Sequence, residues 1–447
     1  MKRQLRIGGL VAAASMAAIG VAAAAGGLTR AAPPEGVVPD TTRNASPQGR
    51  WKEFRNPASE ATLERLDALG YLPGSRTAPE LSGVTRHDAA RAQPGLNFLT
   101  SGHAPVALLM DMEGRVLHHW HAEVGSIWPD LPLPPGDILQ KHFFRRARPL
   151  PDGSLLAIFE GIGLVKMDRD SRVLWAAARG AHHALEVLPS GDIAGLTREV
   201  RILPRFSRVM PVAEDFLTFL SPEGEERRRI SLIEAFERSP MSVILEAADR
   251  KTGDFLHTNA LQILDGRLAG RVTAFAAGNV LLSFREVSTL GVLDPEKGAM
   301  VWAHQGDYLR QHDPRMLDGG RILLFDNGRE RSRILELDPA SGETITVHAG
   351  TPEEPFFTET CGTAQRLENG NTLITESENG RAFEIAPDGE TVWEWISPYR
   401  AGRDRELIAT LFELGRLPAA YGEEWLAMES AASRGSAFPL LCPRRLR

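Results

Sequence analysis

The sequence predicts an all-β protein, a six-bladed β-propeller, and three observations carry that expectation. Two Gly-containing turn signatures alternate from about residue 101 to residue 400. One of them occurs six times, with turn residues Gly114, Ser171, Gly224, Gly298, Gly342 and Gly389. Most of its intervals are 44 to 57 residues, which is room for about four short strands and their hairpins. Repetition at this period is the mark of radially repeated blades, whereas a single sandwich or barrel leaves the regularity unexplained.

The six-fold signature is a strand, a turn and often a Trp, as in "LMDMEGRVLHHW", "KMDRDSRVLW", "VLDPEKGAMVW" and "EIAPDGETVWEW". The second leads from a Gly turn into a short apolar run: "PLPDGSLLAIF", "EVLPSGDIAGL", "AFAAGNVLLSF", "MLDGGRILLFD" and "RLENGNTLITE". The stretch from Ser239 to Asp265 is an excursion between the third and fourth blades.

The ends read differently. "MKRQLR" is a positive n-region, and residues 7 to 28 run without a charge. Residues 1–28 therefore predict either a signal peptide, with an Ala-x-Ala cleavage site after Ala25, or a membrane anchor through residues 7–28. Either outcome puts the remainder in a periplasmic or other extracytoplasmic compartment. Without paired arginines the general secretory route is favoured. Residues 29–100 read as a Pro-, Thr- and Ser-rich tether and one short helix, with Ser59 as N-cap, Leu63, Leu66 and Leu69 on one face, and Gly70 at its stop. Residues 401–447 read as a helical extension, with helices in "DRELIATLFELGRLP" and "EEWLAMESAASR".

Apolar content of 43 % and charged content of 24 % are those of a globular chain, and a net charge of −7 argues against nucleic acid as a partner. Any local cluster of His and Arg is the more informative for opposing that sign. The two cysteines, Cys361 and Cys442, have no metal-ligand spacing. They read either as a bridge between tail and propeller or as two buried thiols.

Equivalent positions of successive blades form rings around one axis, so residues entering the innermost strands in one register converge. His183 lies eight residues before Gly191, and His312 eight before Gly320. His257 opens the strand pair that leads to Arg285 in "LLSFRE". These four are the candidate catalytic residues. His182 is expected to point away from His183, because side chains alternate along a strand. His118, His119 and His121 are assigned to an outer, solvated strand, and Arg145, Arg146 and Arg148 to a solvated loop. Three converging histidines admit a metal-dependent lyase or hydrolase, which a fixed Arg285 cation opposes unless an anionic substrate bridges the two. A non-catalytic binding scaffold is the third reading.

The segments "HHALEVLPSGDI", "HTNALQIL", "LLSFRE", "QHDPRMLDGGRILLFDNG" and "QRLENGNTLITES" resemble the blade motifs of bacterial arylsulfate sulfotransferases. That resemblance implies an exported enzyme that moves a sulfuryl group from an aryl sulfate donor to a phenolic acceptor, with no cofactor and without the nucleotide donor PAPS. It implies that His312 carries the group as a sulfohistidine, and that His183, His257 and Arg285 surround the sulfuryl oxygens. Ala184 follows His183 where the family pattern has Asp, the hairpin after His257 is longer than usual, and residues 29–100 do not read as the β-sandwich of better-known members.

Overall fold

A computed structural model of the chain describes residues 74–130, 143–208, 211–248, 253–402 and 404–426. The export segment, the helix expected after Ser59, and Cys442 lie outside the described residues. Among the described residues no helix is long and apolar enough to cross a membrane.

The fold is a β-propeller built of antiparallel sheets with four or five strands each, beside a small three-stranded sheet of Arg76–Thr77, Leu407–Ile408 and Arg400–Ala401. One comprises Phe144–Pro149, Leu155–Phe159, Gly163–Met167 and Val173–Ala177. The next comprises Ala181–Val187, Ile193–Arg201, Val212–Leu220 and Glu226–Ser231, and it is followed by a helical excursion at Leu232–Glu237 and Val243–Ala247. Then come Thr258–Ile263, Val280–Phe284, Thr289–Asp294 and Ala299–Gln305, and after them His312–Met316, Ile322–Asp326, Arg333–Leu337 and Thr344–Ala349. Thr363–Arg366, Thr372–Glu376, Arg381–Ile385 and Thr391–Ile396 form another sheet, to which Gly83–His87 adds an outer strand. The inner strand of each sheet lies against the inner strand of the next.

All six turn residues of the repeated signature connect a third strand to a fourth, and all six have positive φ. Ser171, at φ 64°, is the one non-glycine among them. Glycine is favoured there because a Cβ is strained in the left-handed region.

The second strands are nearly continuous apolar runs because both of their faces are covered. Side chains alternate between the two neighbouring sheets. Leu282 packs toward Leu196 and Leu217, whereas Leu281 packs toward Ile322 and Leu324. Leu324 and Leu323 divide in the same way. Each fully buried side chain of this kind contributes about 1.5–3 kcal/mol of transfer free energy. The wall between the sheet that contains Val116–His121 and the sheet that begins at Phe144 is filled by Trp120, whose indole N–H donates to the Gly153 carbonyl at 2.8 Å.

Two expectations need correction. The segment Leu411–Leu417, read as helix, is the inner strand of a sheet whose other strands are Leu96–Ser101, Val106–Met110 and Val116–His121. Its apolar residues Leu411, Leu414 and Leu417 mimic a helical spacing, but the open edge of Leu96–Ser101 provides a full ladder of hydrogen bonds and overrides local preference. The sheets thus extend from Arg76 to Leu417, beyond the 101–400 limits, and the strands Arg76–Thr77, Gly83–His87 and Leu96–Ser101 are not tether. His118 is the second. It is buried, with its ring edge-on to Trp120 at 4.4 Å and to Trp425 at 4.9 Å, because Trp425 folds back over that strand.

Candidate functional site

Five inner strands start with a break in register against their neighbours. The breaks fall between Phe144 and Arg146, His182 and Leu185, Thr258 and Ala260, His312 and Arg315, and Leu411 and Glu413. A bulge inserts an extra residue, bends the strand and re-aims side chains. His183 (φ 54°), His257 (φ 47°) and Asp313 (φ 48°) also sit in the left-handed region, where a non-glycine residue costs about 1–3 kcal/mol. The same device at successive blades turns polar side chains toward one place.

His183, His257, His312 and Arg285 are all buried there. The His183 and His257 rings stand edge to face with centroids 5.0 Å apart. His257 shares a hydrogen bond of 2.7 Å between Nδ1 and Asp254 Oδ2, and Arg198 grips the same carboxylate with two nitrogens at 3.1 Å. Those contacts hold Asp254 ionised, well below the usual carboxylate range despite burial. An ionised carboxylate only accepts, so Nδ1 of His257 carries hydrogen. His183 donates its backbone N–H to Glu160 Oε2 at 3.1 Å. Burial pushes Glu160 up, while Arg145 opposes the shift.

His312 is held most specifically. Its Nδ1 lies 2.8 Å from Asn327 Oδ1. The amide nitrogen of Asn327 is committed to the carbonyls of Thr358 at 2.9 Å and Cys361 at 2.8 Å, which fixes which end of the amide faces the ring. Asn327 Oδ1 can only accept, so the hydrogen is on His312 Nδ1 and the lone pair is on Nε2. Burial, and then the nearby Arg285 charge, hold His312 well below the usual imidazole value and therefore neutral. His183 is depressed in the same way, by burial and then by Arg145.

Arg285 pairs with Glu286 through Nη1, but its Nη2 is buried with no hydrogen-bond partner among the described residues. Of the eleven buried side-chain nitrogens and oxygens in that condition among the described residues, those of Arg145, His182, Thr258, Asn259, Arg366 and Arg416 are on inner strands, that of Gln311 directly precedes one, and that of Arg285 directly follows a second strand. Unsatisfied buried groups are costly, so their concentration here marks a place for a polar ligand or ordered water.

Of the four sequence-derived residues, His183, His257 and His312 thus lie at bulged strand starts, and Arg285 joins them from the end of the second strand Val280–Phe284, its backbone N–H donating to the His257 carbonyl at 3.2 Å. His182 differs from expectation: the bulge at His183 breaks the alternation, so that His182 Nδ1 lies 2.9 Å from His183 Nδ1. Arg145 and Arg146 are not solvated. Arg145 is buried over the Phe412 ring, and Arg146 bridges Asp313 at 3.0 Å and Glu413 at 2.9 Å. A usable signal was present, since Arg145 stands eight residues before Gly153, the register of His183 and His312. Asp313, next to His312 in the chain, pairs with Arg146 and Arg315. Asn327, Asp254 and Glu160 carried no spacing that announced them.

Among the described residues one group has metal-ligand geometry: Glu160, His182 and His183 bring a ligand atom each within 4.8 Å of one another. Of the three histidines weighed as metal ligands, only His183 belongs to it. Arg145 and Arg198 act on this group electrostatically and disfavour a further cation.

The fold and site define a β-propeller with a neutral imidazole nitrogen facing cations at its inner strands. The sequence profile of the arylsulfotransferase (ASST) family matches residues 146–399, more than half of the chain. The chain belongs to that family, and hence with sulfotransferases in general. No curated protein sequence matches it. Among solved structures, a protein of unknown function from Bacteroides caccae is 13% identical and aligns over 72% of this chain and 98% of its own, with a TM-score of 0.46. Streptogramin B lyase is 12% identical over 78% and 96%, with a TM-score of 0.42. The Cps50 (Swd1) β-propeller domain of Myceliophteria thermophila is 12% identical over 72% and 91%, with a TM-score of 0.41. Likeness at this level concerns fold alone.

Proposed function

We propose that this protein moves a sulfuryl group from an aryl sulfate to a phenolic acceptor through a sulfohistidine on His312, without PAPS. The observation that carries the proposal is the Asn327 clamp, which leaves the Nε2 lone pair of a neutral His312 available. In the first half-reaction that lone pair forms the N–S bond, the S–O bond to the aryl group breaks, and its electrons leave on the phenolate oxygen. In the second, an acceptor phenol gives its proton to neutral His183 and its oxygen forms a new S–O bond. The N–S bond then breaks and returns its electrons to Nε2. His183 releases the proton to solvent, matching the one taken up by the first phenolate. Arg285 and His257 face the charge on the sulfuryl oxygens, a contribution of about 2.7–4 kcal/mol for one such donor.

Incubation with an aryl sulfate alone, followed by intact-mass and peptide spectrometry, tests this. One acid-labile sulfuryl group on the peptide containing His312 is expected, together with ping-pong kinetics. His312→Ala abolishes both adduct and transfer. Near-native transfer by His312→Ala overturns the assignment, and loss of transfer on chelation, restored by a divalent metal, favours the Glu160–His182–His183 group instead. Residues 1–28 support export, so we place the reaction in the periplasm or another extracytoplasmic compartment, with membrane attachment through residues 7–28 if that segment is retained. Recovery of the intact chain in the soluble cytoplasmic fraction overturns that placement.

A further inference from the structure

The site contains a second guanidinium for which the proposed transfer has no role so far. Arg145 lies at a bulged strand start, in the register of His183 and His312, and one residue outside the segment matched by the family profile. It is 4 % exposed, and no carboxylate lies within ion-pair distance of it among the described residues. Its Nε is buried with no hydrogen-bond partner among the described residues. The Phe412 ring, 5.2 Å from the guanidinium carbon, gives it a cation–π surface but takes up no N–H. A buried charge left in this condition is destabilising unless something else supplies the acceptor. Arg146, the next residue, is by contrast fully occupied by Asp313 and Glu413.

Arg145 and Arg285, each with a buried nitrogen left without an acceptor among the described residues, do not serve the same place. Arg285 donates its backbone N–H to the His257 carbonyl at 3.2 Å, on the sheet next to that of His312, whereas the inner strand of Arg145 and that of His312 are separated by two other inner strands in either direction around the ring. In an in-line displacement the leaving oxygen lies opposite the attacking atom, with the remaining oxygens between them. Resting on the transfer reading above, we propose that Arg145 binds the bridging oxygen of the sulfate ester and stabilises the departing phenolate, while Arg285 holds the non-bridging oxygens. The site is thereby suited to sulfate monoesters of weakly acidic phenols, whose leaving oxygen carries the most charge needing a partner.

Two measurements test it. The first is the rate of adduct formation in Arg145→Met and Arg145→Lys with a series of aryl sulfates whose phenols differ in acidity. Loss of a hydrogen bond to a charged group corresponds to about 10- to 150-fold. That loss is expected for the least acidic phenols and should shrink toward none for nitrophenols, with Arg145→Lys intermediate. Arg285→Lys should instead slow every donor by a similar factor. A uniform loss across donors in Arg145→Met, as from general disruption, overturns the inference.

The second measurement needs no turnover. Inorganic sulfate, whose fourth oxygen takes the place of the bridging one, should raise the melting temperature of the wild type saturably at constant ionic strength, and should do so at least tenfold more weakly in Arg145→Met. Without sulfate, Arg145→Met should melt at or above the wild-type temperature, because it removes an unpartnered buried charge. Unchanged sulfate protection, or a lower melting temperature without sulfate, overturns the role of Arg145. If no aryl sulfate labels the wild type while sulfate protection still depends on Arg145, the transfer reading fails and the anion site stands.

Discussion

Asn327 is the residue through which the structure most directly controls the chemistry, and two substitutions separate its roles. Asn327→Ala removes the acceptor for His312 Nδ1–H and the donors to the Thr358 and Cys361 carbonyls. The Thr358 carbonyl keeps a share of the Ser332 hydroxyl hydrogen at 3.3 Å, which that hydroxyl also directs to the Asn327 backbone carbonyl at 3.0 Å, so the loss there is partial. The Cys361 carbonyl is left without its side-chain donor, at about 1–3 kcal/mol. His312 can escape its own unpaired N–H by moving the hydrogen to Nε2, which removes the lone pair from the attacking position. We therefore expect a stability loss of about 2–4 kcal/mol and an adduct rate lower by about 10- to 150-fold. Asn327→Asp keeps an acceptor for Nδ1–H but sets a negative charge beside the ring, which favours the imidazolium. Its pH–rate profile should fall off at a higher pH than that of the wild type, whose neutral His312 keeps the acid limb low. Stopped-flow release of nitrophenol from its sulfate ester across pH 4–9 reads both effects. An Asn327→Ala protein that melts lower but forms adduct at the wild-type rate would refute the tautomer argument.

Three further outcomes follow from the same structure. Burial lowers the pKa of His182 from 6.5 to about 3, so the unfolded chain takes up a proton that the folded one refuses. The stability is complete above pH 6.5 and is lost as pH falls toward 3, by on the order of 5 kcal/mol for this residue, and calorimetry should show His182→Gln flattening the decline. Arg146→Met leaves the buried carboxylates of Asp313 and Glu413 without that partner and should cost about 3–5 kcal/mol in chemical denaturation, although Arg315 still pairs with Asp313. Trp120→Ala opens a cavity against Phe98 and Trp425 and should cost about 3–5 kcal/mol, with little change in adduct rate at temperatures where the protein remains folded.

Much of this molecule was legible in its sequence, and the misses share a cause. The turns could be read because each needs a left-handed residue between a third and a fourth strand, a purely local demand met by Gly114 through Gly389 and, once, by Ser171. The register of His183 and His312 was legible because the repeat fixes it. Arg145 shared that register, but its place beside two other arginines suggested solvent, and only burial over Phe412 shows otherwise. His182 was misplaced because alternation assumes an unbroken strand, and a bulge has no unique residue signature. Leu411–Leu417 was misread because its pairing partner lies at the far end of the propeller.

That last pairing sets the order in which the molecule can assemble. Ser101 and Leu411 are adjacent across the ladder yet 310 residues apart in the chain, a closure whose entropic cost grows only as the logarithm of length, to about 5 kcal/mol. Until Leu411–Leu417 arrives, Leu96–Ser101 presents an unpaired edge, the kind of surface on which partly folded chains associate. The same strand carries Phe412, which covers Arg145, and Glu413, which accepts the Ala147 N–H at 2.7 Å and pairs with Arg146. A chain still lacking this strand already holds His183, His257 and His312 but not the setting of its arginines. Closing the circle and completing the anion site are therefore a single late event, and an incompletely made chain lacks a finished site.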